Sequence, residues 1–449
     1  STVFAPGTVI ISAVGEVEDV RKTVSPTLVP DSLTTLIYID FSGEPMHCGG
    51  SAFSQVSNKL GTRAPEVANA GHFKQAFNAV QELIKKDKIL SGHDVSSGGL
   101  VTCLLEMAFA GNNMGIAADL SALNEPDLVK LLLSENPAVV IQTDDLDYVS
   151  VYLHEKGVPF HAIGNPSYDK NLQIRNQGKQ VALNIEKLRK HWFKTSWLMD
   201  QHQSGKELAG KRYLNFGQQA LNFMFPEHFS GLFSQFSIDP KRRKPTGIKA
   251  AIIREKGVNG DREMAWSLYL AGFDVKDVHM TDLISGRETL EDIHMIVFVG
   301  GFSNSDVLGS AKGWAGAFLY NPRAKEALDK FYARPDTLSL GVCNGCQLMV
   351  ELGLIYPDHN EKPRMLHNDS GKFESAFLTV YIPENPSVML QSLAGSRLGI
   401  WVAHGEGKFH LPYDESKYQI AAKYSYQDYP GNPNGSDYAT AAICSADGR

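Results

Sequence analysis

The sequence predicts two successive bodies of mixed structure, an α+β domain followed by a doubly wound parallel α/β sheet. Three observations carry this expectation. Residues 1–197 alternate strand-like and helix-like patterns. Residues 198–246 lose that periodicity and read as a linker closed by "DPKRRKPTG". From Gly247 on, short apolar strands alternate with helical segments, the pattern of a parallel sheet covered on both faces.

In the first body "GTVIISAVG" (7–15) and "TTLIYIDF" (34–41) are rich in β-branched and aromatic residues and predict strands. Apolar residues at Phe73, Phe77, Val80 and Ile84 fall near the helical period. "LVTCLLEMAFAG" (100–111) is mostly apolar and predicts a buried helix; "AVVIQT" and "FHAIG" are strands flanking the amphipathic "LDYVSVYLHEKG". In the second body "IKAAIIRE", "AGFDVKDVHM", "HMIVFVGG" and "LSLGVCNG" are the strands, with "DREMAWSLYLAG" and "PRAKEALDKFYARP" as helices. Sites in such sheets lie beyond the carboxyl ends of the strands. Two of those ends carry unusual residues, "GGFSNSD" and "CNG".

Composition narrows the function. A formal charge of −7 gives no reason to expect nucleic acid or an anionic membrane as partner, and no apolar run reaches membrane-spanning length. The basic run 241–244 between two prolines reads as solvated linker. Five scattered cysteines are no disulfide framework, so a reducing cytoplasm is the expected setting. The triplets at Asn368 and Asn434 are then read as turn chemistry or chance rather than glycan sites.

Chemistry concentrates at "SLGVCNGCQLMVELG" (339–353). Zinc would need a second cysteine pair, and none exists. A redox dithiol would also begin a helix after a strand, but Gly341 and Gly345 flank Cys343 in a G-x-C-x-G pattern. That is the cysteine counterpart of a nucleophile elbow, whose sharp turn needs small residues two before and two after. At a helix N-terminus the free N–H groups favour thiolate, and the N–H of Asn344 can face an oxyanion. Cys346 reads as packing. For a base, His404 and Glu406 in "VAHGEGKF" are candidates, yet the glycines beside them suit a binding loop equally well. The residues alone leave the base unassigned. "HDVSSGGL" places Asp94 and Ser96 before Gly98-Gly99 and a helix, which suits either phosphate and Mg²⁺ or plain helix capping.

"GVCNGCQLM" resembles the class I glutamine amidotransferases. Together with "REKGVNGDREMAWSLYLAGFDVKDVHMTDL", "GGFSNSDVLG", "AHGEGKF", "NPNGS" and "GHDVSSGGLVTCLLEMAFAG", it resembles the phosphoribosylformylglycinamidine synthase family across essentially the whole chain. The resemblance implies the C-terminal part of an aminoimidazole ribonucleotide synthetase-like domain in 1–197, a linker in 198–246 and a class I glutaminase domain in 247–449. It implies glutamine, ATP and formylglycinamide ribonucleotide as substrates, ammonia passed internally between two sites, and ATP/ADP with Mg²⁺ as cofactors. It assigns Cys343 as nucleophile, Gln347 to the substrate glutamine, Gly301 or Phe302 as second oxyanion donor beside Asn344, Ser96 to nucleotide and Asp94 to metal. His404 falls in a glutamine-site loop. The family's catalytic His and Glu follow the equivalent of "ICSADGR", and its other metal ligands precede the equivalent of Ser1. The expectation is therefore a fragment of a larger ligase that lacks its N-terminal synthetase region and turns glutamine over hardly at all. The other readings are a stand-alone cysteine hydrolase using His404 and a non-catalytic folded fragment. Two positions depart from the family pattern: Asn304-Ser305 stands where Tyr-Gly is common, and Ala376 where Arg is.

Overall fold

The computed structural model describes residues 10–110 and 114–449, which divide into two compact units, Ser1–Phe193 and Lys194–Arg449. The first contains β1 (Thr35–Asp40), α1 (Ala52–Val56), α2 (Ala70–Lys85), β2 (Ser91–Val95), α3 (Gly99–Phe109), β3 (Gly115–Asp119) and α4 (Leu128–Leu133). It continues with β4 (Ala138–Thr143), α5 (Leu146–Glu155), β5 (Phe160–Ser167), β6 (Asn171–Asn176) and β7 (Lys179–Asn184). The strands form one sheet in the order β2-β4-β1-β5-β3-β6-β7, with β3–β6 its parallel pair and the other pairings antiparallel.

Strand β1 shows why this unit holds together. Its side chains alternate between faces, and both faces are covered. Leu36 and Tyr38 pack with Leu100, Cys103, Leu104 and Met107 of α3. Ile37 and Ile39 pack on the other side with Ala76, Ala79 and Leu83 of α2 and with Val149 and Leu153 of α5. The apolar helix read at 100–111 is thus α3, buried as expected; Gly111 lies outside the described residues. The strand expected at 7–15 is not formed where it can be seen. Residues 7–9 lie outside the described residues, Ile10–Gly15 carry no strand, and Ile10 and Ile11 are exposed. β-propensity reflects packing against a neighbouring strand, and these residues have none.

A helix broken at Gly205, α6 (Ile185–Asn215), runs past the division between the units. The stretch read as linker, 198–246, is part of the second unit and packs within it. Arg212 pairs with Asp200 (2.8 Å) and Glu374 (3.1 Å), and Met224 exchanges backbone hydrogen bonds with Arg397. Nor is the basic run wholly solvated: Arg242 pairs with Asp274 at 3.0 Å and lies over the Tyr269 ring.

The second unit begins with β8 (Lys249–Arg254), α7 (Asp261–Leu270), β9 (Asp274–His279), α8 (Met280–Ser285), β10 (Met295–Phe298), α9 (Lys312–Leu319), α10 (Pro322–Ala333), β11 (Leu338–Gly341) and α11 (Asn344–Glu351). Its parallel sheet has the order β11-β10-β8-β9, as the alternating pattern predicts. Beyond it come β12 (Arg364–Leu366), β13 (Glu374–Tyr381), β14 (Arg397–His404), β15 (Lys408–His410), β16 (Gln419–Tyr424) and β17 (Thr440–Cys444). Four of these build an antiparallel sheet, β14-β13-β16-β17, that the sequence reading did not anticipate. No described helix is long and apolar enough to cross a membrane.

Adjacent strands β10 and β11 end side by side, and the turn out of β11 is very tight. A Cβ on Gly345 would overlap the Phe298 carbonyl of β10, and one on Gly341 would lie 2.6 Å from the Gly345 carbonyl oxygen. Both glycines therefore let the first turn of α11 sit directly on β10. Gly345→Ala should destabilise the second unit by on the order of 3 kcal/mol, because the added methyl meets backbone rather than a movable side chain. A drop in its melting temperature checks this. Leu104→Ala, which opens a cavity between α3 and β1, should cost the first unit about 3 kcal/mol, read from hydrogen exchange of β1 amides.

Candidate active site

Cys343 occupies the turn between β11 and α11 with φ 53° and ψ −112°, a left-handed backbone that a non-glycine residue adopts only under constraint. It is the N-cap of α11 and makes no side-chain cap bond. Its Sγ lies 3.6 Å from the Ala403 carbonyl oxygen, within reach of a weak S–H donation. Three residues on, burial pushes the Cys346 thiol up to about 12. The two cysteines are neighbours in sequence but not equivalents in chemistry: Cys346 stays a neutral thiol across the physiological range.

Both thiols line a cavity of about 760 Å³. Gln347, His404 and Glu406 reach its wall, and Leu338, Leu340 and Ile443 give it a largely apolar side. Gln347 is nearly buried; its Nε2 donates to the Glu406 carbonyl (2.8 Å), and its Oε1 accepts from Asn344 Nδ2 (2.9 Å). The helix behind the nucleophile turn is thereby tied to the 404–407 loop.

That loop is held more firmly than its glycines suggest. Asn368 donates to the His404 carbonyl (2.7 Å) and accepts from the Gly407 N–H (3.0 Å), while Asn434 donates to the Gly407 carbonyl (2.9 Å). Asn368 and Asn434 are themselves buried, which fits the reading of their triplets as turn chemistry. The His404 ring packs so closely on Gly407 that a Cβ there would overlap it. Its Nδ1 is buried without a hydrogen-bond partner, and burial lowers its pKa, so the imidazole is neutral at pH 7. The Glu406 carboxylate lies 3.8 Å from His367 Nδ1 instead. His404 and Glu406 therefore do not form a His–carboxylate pair.

Across from Cys343, the chain leaves β10 through Gly300, Gly301 and Phe302. A Cβ on Gly300 would lie 3.1 Å from that of Cys343. Gly301 (φ 120°) runs tight against Val258 and Asn259, and Phe302 donates its N–H to the Gly257 carbonyl (3.0 Å). Of the two expected donors, Phe302 is thus already committed. The sequence reading missed Ser303, Asp306, Asn368 and Asn434 around this site. "GGFSNSD" stood out as unusual, but nothing in it separates a contact from a bystander.

In the first unit Asp94, at the end of β2, is exposed and lies 3.3 Å from His93 Nδ1, whose Nε2 is 3.2 Å from Glu106. Ser96 is exposed in the turn that follows. Neither caps α3: Gly98 is its N-cap, with no side-chain bond, and the Gly98 N–H is taken by Glu135 Oε1 at 2.9 Å. Among the described residues no group of three His, Cys, Asp or Glu side chains could hold a metal ion. Asp94 offers one hard oxygen ligand set, which fits Mg²⁺ only as that ion is often held, by one or two carboxylates plus phosphate and water.

Residues 247–449 match the CobB/CobQ-like glutamine amidotransferase domain, and residues 41–174 match the C-terminal domain of AIR synthase related proteins. Over its full length the chain is 38% identical to 33% of a probable phosphoribosylformylglycinamidine synthase, chloroplastic/mitochondrial, of Arabidopsis thaliana. It is 37% identical to 36% of the human phosphoribosylformylglycinamidine synthase, again over 100% of its own length. A solved structure of PurLQS from Thermotoga maritima matches 46% of this chain and 84% of its own at 25% identity, with a TM-score of 0.36. The chain spans about a third of the length of the curated relatives it matches. The chain thus resembles an AIR synthase related domain followed by a CobB/CobQ-like glutamine amidotransferase domain, and along its whole length it is similar to about a third of the phosphoribosylformylglycinamidine synthases it matches.

Proposed function

We propose that the second unit is the glutaminase of a purine-pathway ligase that converts formylglycinamide ribonucleotide to its amidine, using ATP and the ammonia of glutamine. The observation that carries this is the constrained turn at Cys343, placed beside the strand end that bears Gly300 and Gly301. Cys343 Sγ attacks the side-chain carbonyl carbon of glutamine, forming an S–C bond as the carbonyl electron pair moves onto oxygen. The N–H groups of Asn344 and Gly301 receive that oxyanion, since Phe302 is committed elsewhere. The C–N bond then breaks, and ammonia leaves with the thiol proton. Water attacks the resulting thioester, which releases glutamate and restores the thiol. Gln347 and the His404 loop hold the substrate.

On this reading 1–197 is the C-terminal part of the ATP-dependent synthetase domain, 198–246 the connecting segment and 247–449 the glutaminase domain, working in the cytoplasm. Asp94 would hold Mg²⁺ and Ser96 a nucleotide phosphate; bound there, the pair would supply phosphoryl chemistry to the substrate oxygen. The rest of the relatives' length would supply the remainder of that site. A hydrolase that uses a His404–Glu406 pair is disfavoured, because the Glu406 carboxylate faces His367.

A glutamine-derived chloroketone should label Cys343 in the full chain, and free glutamine should slow the labelling. Cys343→Ser should abolish it. Labelling that ignores glutamine would sink the reading. Iodoacetamide at pH 8 should modify Cys343 at least tenfold faster than Cys346, whose thiol ionises only near pH 12. Peptide mass spectrometry gives the ratio.

A further inference from the structure

The side chain of Asn344 has no spare hydrogen-bonding capacity on its amide nitrogen. One N–H goes to Gln347 Oε1 at 2.9 Å, and the other goes to the Asp306 carboxylate, whose two oxygens both lie 3.2 Å away. Its Oδ1 accepts from the Ser303 N–H at 3.1 Å. Asn344 and Ser303 are fully buried, so the bonds from Ser303 and to Gln347 are made away from water, while Asp306 is half-buried.

Asp306 closes a costly loop. Asn304, Ser305 and Asp306 have φ of 52°, 57° and 46°, three consecutive non-glycine residues in the left-handed region. Each costs on the order of 1 kcal/mol, and such a run persists only where its surroundings over-determine it. Asp306 supplies much of that constraint. Its Oδ1 also accepts from the Ala311 N–H (3.1 Å) just before α9, and its carbonyl accepts from the Gly309 N–H (2.8 Å). The Asn304 N–H is fixed to the Lys256 carbonyl at 2.7 Å. One carboxylate thus links the loop after β10, the start of α9 and the residue that follows the nucleophile.

We propose that Asp306 is a positioning residue: it locks the Asn344 side chain and the 301–303 backbone in register with Cys343, and so sets the geometry of the oxyanion donors without touching substrate. The proposal rests on the glutaminase reading above. Without the carboxylate, one Asn344 N–H is left unsatisfied in a dry site, and the left-handed run is free to relax toward ordinary backbone angles. The 301–303 backbone then drifts from Cys343. A step that develops an oxyanion suffers, whereas simple displacement by the same thiol does not.

The test compares two reagents on Cys343 of the full chain: the glutamine-derived chloroketone, which passes through an oxyanion, and iodoacetamide, which does not. Asp306→Ala should lower the chloroketone-to-iodoacetamide rate ratio by about 10- to 100-fold, somewhat less than deleting an oxyanion donor outright. It should also raise hydrogen exchange in the peptides that cover 300–308 and 340–348. Asp306→Asn, which keeps one acceptor oxygen, should fall between the two. An unchanged ratio in Asp306→Ala overturns the proposal whatever exchange does. If Asp306→Ala does not fold, the same criterion is applied to Asp306→Asn. If the unmodified chain shows no preference that glutamine can block, the glutaminase reading fails on its own; exchange then decides the positioning role, and unchanged protection overturns it.

Discussion

The second unit depends on one close approach, the first turn of α11 against the backbone of β10. Gly345 sits where any side chain would overlap the Phe298 carbonyl, and Gly341 lies under the same turn. With no Cβ at either place, the chain can reverse within a single residue, and that residue is Cys343 at φ 53°. Its neighbour Cys346 lines the same cavity, and burial pushes its thiol up to about 12.

The same approach sets what else can gather at the site. Parallel strands ending side by side bring their loops together, so the residues after β10 face the residue after β11. The third contributor, the 404–407 loop, arrives from a different sheet. It is fastened by Gln347 from α11 and by two buried asparagines. Backbone carbonyls and amides make most of these connections, so the loop holds its shape although two of its four residues are glycine.

How much of this was legible depended on the range of the interaction. The β8–β11 sheet and the turn at Cys343 could be read because both are local: strand runs, helical periods and a G-x-C-x-G spacing. Strand β1 was likewise visible in the β-branched and aromatic run at 34–41. The antiparallel sheet β14-β13-β16-β17 was not, since its strands pair across the long connections 382–396 and 425–439 and no short motif marks those pairings. Asp306, Asn368 and Asn434 were missed for the same reason. An Asn or Asp in a glycine-rich stretch looks like turn chemistry until the distant group it bonds is known. His404 and Glu406, two residues apart and open either to a base pair or to a binding loop on sequence grounds, turn to different neighbours.

The left-handed run at 304–306 also acts as a mutational filter. Asparagine, aspartate and glycine enter that region at the least cost, and β-branched residues are all but barred from it. Ser305, with φ of 57°, holds a backbone that glycine adopts without steric cost. Drift through this loop is therefore confined to a few small polar residues by backbone angle alone. A segment can thus stay nearly fixed in composition without any of its side chains meeting substrate.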